Sequence, residues 1–395
     1  MALVLAWRCP SRLLYPGLWA EDGKLWLAGA YGQGVSMVLV PVVGYLQTIS
    51  RLAALLAVHI GLVDVPLVFA IVAFAVQLLP AILLIGPRAA AWMPSRLARL
   101  LLIAFYLAEP NTNEVYVNLT NAMWHLALAA FLLVLLPKPR AALCRAFDLV
   151  VLVLSGLSGP LVLFIAPVAW WEAWRVRQRM AVVYAVVLSA CALLQFALIM
   201  TSHAGRHGTL GATAGRLFHI IANQILLGGV IGASWVNQLL QHPAWHSWMG
   251  PGLVCLLGAL AVGLAAWRGP ASYHQLLFIS LLSLAAALVS PMVSFIDAQW
   301  SLMQYPGVGS RYYFLPILAW FATLLVLAAG SGWVRWPARL VILACVIGCV
   351  SDFYVPALPD SSYRQDVWAF SRAAPGTPMT FHEAPEGWTF ILTKQ

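Results

Sequence analysis

Long apolar runs separated by short charged segments dominate this sequence. The first run long enough to cross a bilayer covers residues 63–85, since about 20 apolar residues are needed to span the hydrocarbon. A shorter run, 97–107, ends at Glu109-Pro110-Asn111-Thr112-Asn113-Glu114, and further runs follow at 121–136, 182–200, 253–267, 276–289, 312–329 and 340–350. Residues 147–171 are apolar but broken by Ser155-Gly156-Leu157-Ser158-Gly159-Pro160, which predicts two short helices meeting in a loop. Residues 217–240 mix His219, Asn223, Gln224, Asn237 and Gln238 into an apolar background, which predicts a helix that lies flat or re-enters. Residues 25–58 contain Gly29, Gly32, Gly34, Pro41, Gly44 and Arg51. An arginine at mid-bilayer is costly, so this stretch reads as helices lying at the interface. Residues 1–15, broken by Arg8, Pro10 and Arg12, are too short for a span and read as a shortened first transmembrane helix. The expected fold is an all-α polytopic membrane protein with about 10 or 11 transmembrane helices. Residues 1–350 form its membrane domain, 20–58 its first outer loop, and 351–395 a small, proline-rich extracytoplasmic tail.

Composition supports that class. Of 395 residues, 62% are hydrophobic and 9% charged, against about 25% charged in a soluble domain. The net charge of +9 does not point to nucleic acid, because the arginines sit in short clusters between apolar runs. The cysteines Cys9, Cys144, Cys191, Cys255, Cys345 and Cys349 lie mostly in apolar runs without metal-type spacing and read as small core residues. Abundant tryptophan and tyrosine suit membrane interfaces and sugar-stacking surfaces alike.

Placing the arginine clusters 88–99, 138–145, 175–179, 268 and 335–339 on the cytoplasmic side orients the chain. Alternation then gathers Glu21-Asp22, loops 109–114, 156–159, 203–207 and 290–311, and the tail on the opposite face. Polar, acid-bearing loops gathered on one face are how a site is built at a membrane surface.

Trp19-Ala20-Glu21-Asp22-Gly23-Lys24 holds the only adjacent acids in the first hundred residues. Asp22 is expected to face water and to act as a general base or a metal ligand, a divalent cation being the one cofactor it could hold. Glu21 beside it points elsewhere, so one of the two is structural; a solvated turn is the bland reading of both. Glu109, Glu114, Asn118 and Asn121 form a polar rim before a span, with helix capping as the simpler reading of Asn118. Asn118-Leu119-Thr120 matches a glycosylation sequon by chance. Trp124 and His125 come next; a lone histidine at a helix start is more often a satisfied core residue than a ligand. Arg311-Tyr312-Tyr313 places an arginine against the positive-inside trend, which suits a phosphate ligand, with snorkelling to headgroups as the alternative. His203, Arg206 and His207 could serve similarly. No nucleotide-binding loop is present.

These residues carry a resemblance. Trp19-Ala20-Glu21-Asp22-Gly23, Ala30-Tyr31, Pro41-Val42-Val43-Gly44-Tyr45-Leu46-Gln47 and Arg51-Leu52 resemble the first outer loop of bacterial integral-membrane glycosyltransferases of the GT-C superfamily. The stretches 114–121, Ser158-Gly159-Pro160, Arg311-Tyr312-Tyr313-Phe314-Leu315-Pro316 and Pro385-Glu386-Gly387-Trp388 are similar to other segments of such proteins. The resemblance covers most of the chain as topology and departs from the pattern at the short first helix. It implies inverting transfer of a sugar from a polyprenyl-phosphate carrier to a glycan or lipid acceptor. The reaction would take place at the outer face of the bacterial inner membrane, in contact with membrane lipids. Asp22 would be the base with Glu21 beside it, Arg311 a candidate for the lipid phosphate, and Glu109 or Glu114 would orient sugar or acceptor, with Asn118, Asn121, His125 and Tyr312 also at the substrate. A lipid-linked glycan flippase and a non-catalytic envelope-assembly subunit are the alternatives. Most runs are plainly apolar, with polar groups collected at one surface, which favours the enzyme.

Overall fold

The computed structural model describes residues 1–202 and 208–395. His203, Arg206 and His207 lie outside the described residues.

Helices dominate, and their order follows the apolar runs. Among the described residues, five are long and apolar enough to cross a membrane: Leu62–Ile85, Arg179–Thr201, Met249–Arg268, Ala271–Val289 and Ser310–Ala329. A pair bent by 117°, Ala214–Leu226 and Gly228–Leu239, makes six if it counts as one span. The number falls short of the ten or eleven expected because the other apolar runs fold as shorter helices. These are Arg96–Ala108, Ala122–Leu135, Ala142–Gly156, Val162–Val176 and Arg335–Ser351. At 1.5 Å per residue they reach roughly 20–26 Å, less than a hydrocarbon core of about 30 Å. Residues 1–15 form only the short helices Ala2–Arg8 and Pro10–Leu14.

The break expected within 147–171 is present, with Ala142–Gly156 and Val162–Val176 joined at 157–161. The 217–240 stretch does not lie as one flat helix but bends by 117°, as a broken span or a re-entrant loop does. Its polar residues hold the bend: Gln224 Nε2 donates to the carbonyls of Met303 and Tyr305, both at 2.7 Å, and Asn223 Oδ1 accepts from Trp245 Nε1 at 2.9 Å. Side chains thus satisfy irregular backbone that apolar surroundings would leave unpaired.

The tail departs from the all-α expectation. Residues 351–395 carry the helix Tyr363–Arg372 and an antiparallel hairpin, β1 (Pro378–Glu383) and β2 (Trp388–Thr393), with Phe381 opposite Phe390. Along these strands, Phe381, Glu383, Phe390 and Leu392 alternate inward. The hairpin packs on the 20–58 loop, where Phe370, Phe381 and Phe390 share one core with Trp26, Leu27 and Ala53. Burying side chains of this size stabilises by about 1.5–3 kcal/mol each. Within that loop Arg51 is 4% exposed and stacks over the Trp26 ring at 5.3 Å. It lies inside this small core rather than in open interface water.

The two ends of the bundle differ. At one, Arg88 forms a two-pronged pair with buried Asp148 at 2.9 and 2.8 Å, and Tyr184 also donates to that carboxylate. Lys138 closes the helix Ala122–Leu135 by donating to the carbonyls of Leu133, Val134 and Leu136. Glu172 binds Arg175 at 2.7 Å and accepts from Gln275. The acid-bearing loops gather at the other end.

Candidate functional site

The acidic end encloses a cavity of about 300 Å³. Its wall is drawn from segments far apart in sequence: Trp19 to Glu21, Val42 to Gln47, Glu114, Thr120 to Trp124, Met292 to Phe295, Arg311, Tyr312, Pro385 and Trp388. The gathering of loops read from charge alternation therefore holds for most of the segments named.

The acid pair divides. Glu21 lines the cavity, whereas Asp22 does not. Asp22 is 3% exposed, beside a void of only about 10 Å³, which corrects the expectation that it faces water. Both of its oxygens are engaged: Oδ2 accepts from the Trp19 amide at 3.0 Å, and Oδ1 accepts from the Thr120 hydroxyl at 3.1 Å. Thr120 in turn accepts from Trp26 Nε1 at 2.9 Å. Burial pushes the Asp22 carboxyl up to about 7, against the opposing pull of those hydrogen bonds. Asp22 thus stands behind the cavity wall, linked to it through the Thr120 hydroxyl.

The tail fixes this loop. Glu383 accepts from the amides of Gly23 at 2.7 Å and Lys24 at 3.1 Å, the first free donors of the helical turn Asp22–Leu27. Ala20 N donates to the Ala384 carbonyl at 2.6 Å, and Ala384 N donates to Leu18 O at 3.1 Å. A Cβ on Gly23 would collide with the Phe390 ring and stand 2.6 Å from Glu383 Oε2, so this close approach requires glycine. Burial also lifts the Glu383 carboxyl, to about 8, with Asp22 nearby adding to the shift.

An ion pair lines the same cavity as Glu21. Arg311 Nη1 meets Glu114 Oε1 at 2.7 Å, and Glu114 Oε2 accepts from the Arg311 amide at 3.1 Å. Nη2 of Arg311 donates to the Met292 carbonyl and to the Tyr312 hydroxyl, and the guanidinium lies over the Tyr312 ring at 4.6 Å. Asn121 Nδ2 donates to the Glu114 carbonyl at 3.0 Å. Glu114, Asn121, Arg311 and Tyr312 therefore line the cavity as a group.

The other named residues stand elsewhere. Asn118 accepts from the Asn121 amide at 3.3 Å in the turn before the helix Ala122–Leu135, whose N-cap is Asn121, and lines the small void beside Asp22. His125 is 1% exposed and holds the Tyr106 hydroxyl and the Val115 carbonyl, each at 2.9 Å, as a satisfied core histidine. Glu109 is fully buried away from the cavity, with neither carboxylate oxygen hydrogen-bonded, and burial raises its carboxyl well above the usual range. Arg8, also fully buried, donates to the Glu109 backbone carbonyl at 2.7 Å and stacks over Tyr116. Neither Glu109 nor His125 is placed to touch a ligand in the cavity.

Sequence reasoning missed Gln47, Thr120, Trp124 and Trp388 as wall residues and Glu383 as the clamp. Gln47, Thr120 and Trp388 do fall inside motifs singled out above, and that was the available signal. Among the described residues, no group of three or more His, Cys, Asp or Glu side chains is arranged to hold a metal ion. No family model, curated protein or solved structure matches the chain.

Proposed function

We propose that this chain is a membrane glycosyltransferase that moves a sugar from a polyprenyl-phosphate carrier to a glycan or lipid acceptor at the outer face of a bacterial inner membrane. One observation carries the reading: a carboxylate without a salt bridge among the described residues, Glu21, lines a cavity with a fixed arginine, Arg311, in a chain of membrane-crossing helices. In this reading Glu21 replaces Asp22 as the base. As the acceptor oxygen bonds to the anomeric carbon, Glu21 takes its proton. The bond from that carbon to the phosphate oxygen breaks, polyprenyl phosphate leaves with the electron pair, and the configuration inverts. Arg311, held by Glu114, is the cation near the leaving phosphate. Asp22 positions the loop through Trp19 and Thr120.

The test is release of polyprenyl phosphate from polyprenyl-phosphate sugars by protein in lipid nanodiscs. Wild type is expected to release it, and Glu21→Gln to lose about a hundredfold or more, the usual worth of a general base. Tight carrier binding without turnover in either protein would favour the flippase or assembly-subunit reading.

A further inference from the structure

Two residues that line the cavity each carry a buried polar atom without a hydrogen-bond partner among the described residues. Gln47 is 5% exposed and leaves Oε1 unpaired, while Trp124 is 4% exposed and leaves Nε1 unpaired. Groups of this kind are costly to bury alone and native chains rarely leave them so, which makes each one a pointer to something that occupies the space.

Their chemistry is complementary. The Trp124 indole can only donate, and Gln47 Oε1 can only accept. The other polar groups on this wall are largely committed: Arg311 to Glu114, Met292 and Tyr312, Asn121 to Glu114, and Thr120 to Asp22. A phosphate offers acceptors and would satisfy Trp124 but not Gln47, and an ammonium group would do the reverse. A hydroxyl both gives and takes, and neighbouring hydroxyls on a ring can meet both atoms at once. Trp19, Tyr45 and Trp388 line the same cavity, and aromatic side chains suit the apolar faces of such a ring. A cavity of about 300 Å³ lies at the lower end of small-ligand pockets.

We infer that Gln47 and Trp124 are a recognition pair for the hydroxyls of a saccharide ring, held between the aromatic walls of this cavity. The inference rests on the transferase reading and deepens it: the cavity takes the sugar, and the carrier phosphate is left to the rim at Arg311. Gln47 and Trp124 are binding residues, separate from the proton transfer assigned to Glu21.

The test uses the full chain in lipid nanodiscs prepared without sugar detergents. Octyl β-glucoside, octyl β-galactoside, octyl phosphate and octylammonium are titrated below their micelle concentrations while tryptophan fluorescence is followed. At least one glycoside is expected to saturate at lower concentration than either ionic probe. Gln47→Leu and Trp124→Phe should each weaken it about tenfold, the scale of one buried hydrogen bond, whereas Gln47→Glu, which keeps an acceptor, should bind nearly as wild type. Tighter binding of phosphate or ammonium, no binding of either glycoside, or full affinity in folded Gln47→Leu and Trp124→Phe variants would overturn the inference. The comparison among probes needs only wild type, so a variant that fails to fold does not remove the test. Glycoside binding that depends on both residues, in a protein that releases no polyprenyl phosphate, would support this pair and sink the transferase.

Discussion

The two ends of the helix bundle treat charge in opposite ways. At the basic end, Asp148 is fully buried and takes hydrogen bonds from Arg88 and Tyr184, while Glu172 is tied to Arg175 and Gln275. At the acidic end, Glu21 lines a cavity with no salt bridge among the described residues, and Gln47 and Trp124 each leave a buried polar atom unpaired. The first arrangement is what stability asks of buried charge. The second is what a ligand site looks like before its ligand arrives. Changes at the basic end should therefore register in the amount of folded protein, and changes at the acidic end in what the folded protein does.

The largest expected loss of stability comes from Arg88→Ala, which leaves Asp148 buried without its cation and with only the Tyr184 hydroxyl. Breaking a buried pair on one side costs about 3–5 kcal/mol, so the melting temperature in nanodiscs should fall well below that of wild type. A melt unchanged by that substitution would mean that the basic cluster is not the structural one. Next in size is the tail clamp. Glu383→Ala removes the acceptor for the Gly23 and Lys24 amides, at about 1–3 kcal/mol, and limited proteolysis should then cut residues 373–395 sooner.

A pH dependence sharpens the contrast within the acidic end. Asp22 and Glu383 are lifted from the ordinary 3.8 and 4.5 to about 7 and about 8, so the folded chain holds both protons more tightly than the unfolded one. That contribution is fully present below about pH 4. It declines as pH rises and is gone once pH has passed about 7 for Asp22 and about 8 for Glu383. Protection of the loop–tail contact in hydrogen exchange, corrected for the intrinsic rate, should weaken from pH 5 to pH 8 in wild type. It should change less in the Asp22→Asn, Glu383→Gln double variant, and an equal slope in the two proteins would remove the buried acids as its cause. The smallest effect expected is that of Arg311→Lys. It keeps a cation beside Glu114 but loses the fork that also reaches Met292 and Tyr312, and turnover should fall severalfold rather than vanish.

Much of the scaffold was legible because hydropathy and charge are long-range signals that survive without coordinates. The apolar runs mark the helices, and charge alternation brought Glu21, Glu114 and Arg311 to one end before any geometry was known. The break at 155–160 was readable from glycine, serine and proline alone. What stayed hidden depends on one-residue orientation or on contacts between distant segments. Glu21 and Asp22 are neighbours, and only the left-handed Ala20 (φ 52°) and the tail contacts decide which of them faces the cavity. Asp148 was passed over inside an apolar run because its partner, Arg88, belongs to another segment. The hairpin was lost among prolines, since its inward Phe381 and Phe390 gain meaning only against Trp26 and Leu27, far away in the sequence. Glu109 had the same sequence signature as Glu114, and burial alone separates them.

The most direct test of the central claim compares Glu21→Gln with Asp22→Asn in one assay of polyprenyl phosphate release, normalised to folded protein. The account predicts that Glu21→Gln falls to background, about a hundredfold or more below wild type. Asp22→Asn should keep part of its activity, because the asparagine oxygen can still accept from the Trp19 amide while its NH2 donates to the Thr120 hydroxyl oxygen in place of the bond that Asp22 accepts. Full activity in Glu21→Gln together with none in Asp22→Asn would contradict it, and would show that the buried acid, not the one on the cavity wall, takes the proton.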